Sequence, residues 1–340
     1  MIPLLTPTEE NLRKAADALI QGRLVSFPTE TVYGLGANAL DAHALAHIFE
    51  VKRRPFFDPL IVHVANRQAL EQLCLRPDAR AEKLMEKFWP GPLTLVLPKT
   101  KAIPDLATSG LPTVAVRIPA HPVALQLIRL AGVPVAAPSA NPFGGLSPTT
   151  AAHVENHFDQ GIEFIIDGGP CAVGVESSVL SLAGPVPILL RAGGLPREEI
   201  EALIGPISLG EIHPTTPLAP GQLPGHYAPR TWLRLLEGSK PIAADPNATY
   251  HGRGLLAFQT EPNQGNYAAV EILSHAGNLR EAAANLFSCL HRLDALGLDW
   301  IEAEPLPENG LGLAIMDRLR KAAAGSNTGN GSGAGKNATR

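Results

Sequence analysis

The sequence is short of several things, and each shortage removes a class of explanation. Its three cysteines, Cys74, Cys171 and Cys289, are far apart and odd in number, so neither a disulfide framework nor a zinc knuckle is expected. Each reads as a buried, inert thiol. No apolar run approaches the roughly 20 residues that cross a bilayer. The opening MIPLLTPTEENLRKAADAL lacks the charged start, apolar stretch and small-residue cleavage site of a signal peptide. Cytoplasmic residence, away from membranes, is the expectation. Aromatic residues make up 5%, and the formal charge is −4, which argues against a globally basic nucleic-acid binder. A local basic pocket remains compatible with it.

Familiar catalytic motifs are missing too. There is no G-x-x-x-x-G-K-[ST] loop, and GVESSVLSL is not a G-x-S-x-G elbow. His43 and His47 are four apart on one expected helix, but no H-E-x-x-H pattern or third ligand accompanies them. GLGANA fits G-x-G-x-x-A, with Asp58 roughly 20 residues on, as a dinucleotide site requires. PTETVY separates those glycines from the preceding strand, which counts against that reading.

What is present is a chain of 340 residues, 45% hydrophobic and 18% charged, enough for a sizeable core and two domains. Helices are expected at 8–21, at AHALAHIFEVK behind an Asp41 cap, and near 67–75, 78–88, 121–131, 149–158 and 196–203. Between them LVSF, PLIVHVA, PLTLVLP, TVAVRIP, VPVAAP, IEFIIDG, SSVLSL and PILLRAG read as short strands edged by proline or glycine. Strands and helices mixed without strict alternation point to an α/β fold with a twisted, partly mixed sheet over residues 1–204. Residues 205–229 are proline-rich and read as a linker. TWLRLL, GLLAFQ, AVEIL and DWIEAEPL, with helices at 278–296 and about 312–324, make residues 230–324 a second, smaller α/β unit. The low-complexity tail, 325–340, is expected to be disordered.

Three constellations can carry chemistry. In VKRRP, cations Lys52, Arg53 and Arg54 close a helix, where the dipole alone favours them. Arg117 in VAVRIP and Arg191 in ILLRAG lie in apolar strands, where arginine is rarely buried without an anion. Cations converging from these places would hold phosphate or carboxylate. APSANPFGGLSPTT places Ser139 and Asn141 after a strand and Ser147-Pro148-Thr149 before a helix; it reads as a turn and cap, or as an anion cradle. Ser177 and Ser178 cannot share one strand face, so one hydroxyl turns inward or towards a ligand. His63, in LIVHV, is buried by pattern and more often a core residue than a catalyst.

The order SFPTETVYGLGANA, FEVKRRPFFDPLIVHV, FWPGPLTLVLP, TVAVRIPAHP, PVAAPSANPFGGLSPT, VESSVLSL, LLRAGG resembles the YrdC family of L-threonylcarbamoyladenylate synthases. HYAP in the linker and GLGLAIMDRLRKAA near the end resemble its long, two-domain form, whose smaller domain is Rossmann-like. The resemblance implies condensation of L-threonine, bicarbonate and ATP, with Mg²⁺, to threonylcarbamoyl-AMP and pyrophosphate. Partner proteins would pass the group to tRNA, and no stable direct nucleic-acid binding is expected.

By the same resemblance, Lys52 and Arg54 are catalytic and, with Asp58, Thr113, Ser139, Asn141, Ser147, Arg191 and Tyr227, contact ATP, and residues 205–229 act as a lid from which Tyr227 reaches back to close over the nucleotide. Thr31, His63, Arg117, Ala137 and Ser177 contact threonine, with Arg117 on its carboxylate. Glu30 would orient neighbouring donors or cations, and Tyr33 is open between cavity wall and core. Asp58 departs from the family's usual asparagine, and the linker's GQLPG lacks the basic and aromatic residues usual before HYAP. Rival readings are an RNA-binding or ribosome-associated module, disfavoured by net charge, and a carbamoyltransferase-like enzyme, which would need further catalytic domains.

Overall fold

The computed structural model describes residues 1–210, 217–223, 225–236, 252–260 and 267–327. The first unit is built on an eleven-stranded mixed sheet. Across it the strands run Leu4–Leu5, Phe164–Ile166, Val25–Phe27, Gly34–Asn38, Val135–Ala136, Ile61–His63, Thr113–Arg117, Leu93–Pro98, Ser178–Ser181, Ile188–Arg191 and Ser208–Leu209. Parallel and antiparallel pairings alternate along much of this order, as the irregular spacing of strands and helices in the sequence leads one to expect.

Helices cover the sheet through the residues that the apolar spacing marks. Glu9–Ile20 is capped by Thr8, whose hydroxyl accepts from the Asn11 amide, and buries Leu12, Ala15, Ala16 and Leu19. It packs with Pro122–Ala131 over Val25, Phe27 and Val135. Ala42–Lys52 is capped by Asp41 and buries Leu45, Ile48 and Phe49. Two expected helices are shorter than their spacing suggests: 67–75 holds only a 3₁₀ turn, Gln68–Gln72, and 149–158 only Ala151–Glu155.

Gly34–Asn38 is a strand that is not among those the sequence pattern marks. Glycine has low strand propensity, yet here it is obligatory. A Cβ on Gly36 would lie 2.6 Å from the Phe27 ring on the paired strand. Tyr33, open between wall and core, is core: it is fully buried, and its hydroxyl donates to the Gly169 carbonyl at 2.8 Å.

The second unit has a four-stranded, all-parallel sheet in the order Trp232–Leu235, Trp300–Ala303, Arg253–Ala257, Ala269–Ile272. Parallel sheets bury both faces, and the side chains of Arg253–Ala257 alternate accordingly. Leu256 joins the core shared with helices Leu279–Asp294 and Leu311–Asn327, while Leu255 and Ala257 join a second cluster. The last helix continues to Asn327, so residues 325–327 of the expected tail are helical. Residues 328–340 of that tail, and 211–216 and 224 of the linker, lie outside the described residues.

The two units share a core. Val32, Leu146, Val175 and Tyr227 cluster with Leu286, Phe287, Leu290 and Leu319 of the two C-terminal helices. No described helix is long and apolar enough to cross a membrane.

Candidate active site

Strand register brings distant side chains to one rim of the large sheet. His63 and Arg117 are register partners at the ends of parallel strands, and Val135, two residues before Ala137, sits beside His63. Ser177 immediately precedes a strand, and Arg191 ends the neighbouring one. Ligands gather at the carboxyl ends of strands in such sheets. A cavity opens at this rim, lined among others by Thr29, Thr31, Arg54, His63, Arg117, Ala137, Ser139, Glu176, Ser177, Arg191, Gly221, His226 and Tyr227.

One end is a hydroxyl-and-guanidinium cluster. Arg117 Nη1 donates to Thr31 Oγ1 at 2.9 Å, Nε to the Gly91 carbonyl at 3.1 Å, and Nη2 pairs with Glu30 at 2.6 Å. Glu30 thus orients a cation, the role its place in the sequence suggests. Thr29 Oγ1 lies 2.8 Å from Thr31 Oγ1 and donates to the Val32 carbonyl, fixing the turn. Ser177 Oγ is 2.7 Å from Thr94 Oγ1, while Ser178 turns the other way and donates to the Leu195 carbonyl. The two serines therefore split between strand faces as geometry demands. Burial, with Arg117 nearby, depresses His63 to about 3, so its ring is neutral at pH 7.

The other end holds the remaining cations. The helix Ala42–Lys52 stops because Arg53 adopts a left-handed conformation, φ 51°. That turn leaves Arg53 exposed and sends Lys52 and Arg54 inward. Arg54 Nη2 pairs with Asp58 at 2.8 Å and donates to the Pro59 carbonyl at 2.7 Å, and its Nε donates to the Asp58 carbonyl. Arg191 donates through Nε and Nη2 to the Ser177 carbonyl and through Nη1 to the Pro220 carbonyl at 3.1 Å.

Five residues expected on the nucleotide do not line the cavity. Lys52 Nζ instead donates to the carbonyls of Ser139 and Asn141, tying down the loop that presents Ser139. Asn141 Nδ2 donates to the Pro142 and Gly145 carbonyls, shaping the same loop. Asp58 is fully buried and pairs with Arg54, so its carboxylate meets a cation. Ser147 Oγ donates to Glu176. Thr113 begins the strand that Arg117 ends, about 13 Å away at ~3.3 Å per residue.

The linker closes the cavity from above. Pro220, Gly221, His226 and Tyr227 line it, and Ala219 packs on Ile61, Val96, Ala115, Val179 and Leu190 of the sheet. Among its described residues the Pro220 and Gly221 carbonyls accept from Arg191 and Lys321, and Gln222 Oε1 accepts from the Leu218 and Ala219 amides. The cavity so enclosed is about 40 Å³. Ligand sites usually offer about 300–1,000 Å³, so the linker leaves this cavity much smaller than a typical ligand site.

Residues that sequence reasoning missed come from the second unit and from one motif read for its serines. Glu176 lines the cavity and bonds both Ser147 and, at 2.8 Å through Nε, Arg318. Arg318 lies 4.8 Å from the Tyr227 ring centroid, and Lys321 Nζ donates to the Gly221 carbonyl at 2.7 Å. Glu176 stood in VESSVL and the two cations in MDRLRKAA, three apart on one helix face. Their partners lie in the other unit or in the linker, which no local pattern reveals.

A Sua5/YciO/YrdC family model, described as telomere recombination, matches residues 17–193, and the threonylcarbamoyl-AMP synthase C-terminal domain model matches 195–324. The chain belongs to the Sua5/YrdC family. It is 48% identical to the threonylcarbamoyl-AMP synthase of Pyrococcus abyssi, over 92% of this chain and 94% of that one. It is 45% identical to that of Bacillus subtilis, over 94% and 95%. The crystal structure of P. abyssi Sua5 complexed with L-threonine superposes with a TM-score of 0.86 at 43% identity, covering 96% of this chain and 98% of that one. This Sua5/YrdC chain therefore has the two-unit architecture of those relatives.

Proposed function

We propose that the chain is a threonylcarbamoyl-AMP synthase that joins L-threonine, bicarbonate and ATP and releases pyrophosphate. The observation that carries this is the convergence of Arg54, Arg117 and Arg191 with the hydroxyls of Thr29, Thr31, Ser139 and Ser177 on one cavity. Relatives of nearly full length bear that enzyme's name.

Chemistry follows from the two ends. Arg117, held in place by Glu30 and the Gly91 carbonyl, offers its remaining donors to the threonine carboxylate. Thr31 and neutral His63 fit the threonine's polar groups. The amine, once deprotonated, adds to bicarbonate with loss of water, giving a carbamate. A carbamate oxygen then attacks the α-phosphorus, and the bond to pyrophosphate breaks. Both reactants are anions, so charge stabilisation and alignment dominate. Arg54 and Arg191 line the cavity, and the Ser139 loop is held by Lys52; in this reading the two arginines supply the positive charge that the phosphates require. Among the described residues no group of three His, Cys, Asp or Glu could cage a metal. Mg²⁺ therefore fits as an ion carried on the phosphates with its own waters, screening charge that the arginines also meet.

The product suits transfer to tRNA by downstream proteins in the cytoplasm. The assay is pyrophosphate release with each substrate omitted in turn; activity without threonine would exclude the reading.

A further inference from the structure

We propose that the C-terminal helix, Leu311–Asn327, is the latch of the nucleotide cavity: Arg318 positions Glu176 and Lys321 holds the linker shut. This rests on the reading of the cavity as a nucleotide site and assigns the second unit a part in it.

Glu176 is a carboxylate on the wall of a cavity built for phosphates. Left alone it would repel them. One of its oxygens is taken by Ser147 and the other by Arg318, whose side chain has no solvent exposure. Burial by itself would raise the Glu176 carboxyl, and Arg318, Arg191 and the Ser147 hydroxyl outweigh it and hold it below the usual range. Arg318 is fixed in turn: Nη1 donates to the Ala192 carbonyl at 2.9 Å and to Asp317 at 2.6 Å, and its carbon faces the Tyr227 ring. A cation from the second unit thus neutralises a cavity-wall anion in the first and orders the aromatic residue of the linker.

One turn further on, Lys321 reaches the linker itself. It bridges Asp317 at 2.7 Å and the Gly221 carbonyl at 2.7 Å. Gly221 is next to Pro220, whose carbonyl occupies an Arg191 donor. Displacing this segment frees both Arg191 and the cavity, and it requires breaking the Lys321 contact. Arg318 and Lys321 are positioning residues: neither lines the cavity, and both act through groups that do.

The test uses the full chain without any ligand first. Amide hydrogen exchange of peptides covering 217–223 and 225–229 is compared in wild type, Lys321→Met and Arg318→Lys. Loss of a charged hydrogen bond of this kind raises local opening roughly tenfold or more, so faster exchange is expected there, with sheet peptides such as 93–98 unchanged. Unchanged linker exchange in both variants overturns the latch. Because no turnover is measured, this outcome is independent of whether the wild type makes pyrophosphate.

The second arm addresses Arg318 alone. Arg318→Met should raise KM for ATP at least tenfold while KM for threonine shifts much less. Adding Glu176→Gln, which removes the stranded charge, should restore most of the loss. Failure of the double variant to improve on Arg318→Met, with both folded by circular dichroism, overturns the electrostatic role. If Arg318→Met does not fold, the comparison passes to Arg318→Lys with and without Glu176→Gln, and the same absence of rescue overturns it.

Discussion

At the scale of residues, the three cations of VKRRP show how position decides role. They are adjacent in sequence, yet the left-handed Arg53 sends its neighbours to different tasks: Arg54 to the cavity, Lys52 to backbone carbonyls of the Ser139 loop. Arg54→Ala is expected to cut the rate by ~10²-fold or more, through lost charge stabilisation. Arg53→Gln, on an exposed side chain, should stay within about twofold. Equal rates in the two variants, measured by pyrophosphate release, would place the phosphates elsewhere. The motif residues were legible because the resemblance carries them. Their division of labour was not: whether a buried cation meets a carbonyl, a carboxylate or an open cavity depends on the local turn and on the chain opposite it.

At the scale of elements, strand and helix order was legible because apolar runs bounded by proline and glycine mark short buried strands. Gly34–Asn38 was hidden because its glycines serve packing on Phe27 and not strand propensity. The linker was legible as a linker and, through the resemblance of its HYAP, as a lid; that its contacts run through its own carbonyls was not legible. Gly221 has φ +80°, and a Cβ there would lie 2.2 Å from the Tyr227 hydroxyl. Gly221→Ala should therefore destabilise the closed arrangement by more than about 1 kcal/mol. Thermal unfolding would show it as a lower midpoint, and an unchanged midpoint would mean the linker does not rest on Tyr227 in solution.

At the scale of the whole molecule, the two units are joined by chemistry as well as by packing. Glu176 and Arg318 are 142 residues apart, a pairing that sequence alone does not disclose. A second joint is made by His153 and His157 of the first unit and His291 of the second: His153 and His291 stack at 3.9 Å, and His157 lies 5.3 Å from His291. Burial, with neighbouring imidazoles and cations, depresses His153 to about 3 and His157 to about 4, and burial lowers His291. The unfolded chain, with imidazoles near 6.5, binds protons first on acidification. Stability from these groups is thus full above about pH 6.5 and declines as pH falls towards the folded values. His157, the more buried of the two first-unit rings, accounts for about 2 kcal/mol of loss at pH 4.5. Urea midpoints at pH 7 and 4.5 should differ less in His157→Asn than in wild type; an equal difference would remove this ring from the acid response.

The proposed reaction joins threonine, bicarbonate and ATP in one cavity. Its most direct measurement is pyrophosphate release by the purified full-length chain with all three substrates and with each left out. Release is expected only in the complete mixture, with threonylcarbamoyl-AMP formed in equal amount. Release that continues without threonine, or pyrophosphate without the matching adenylate, would contradict it.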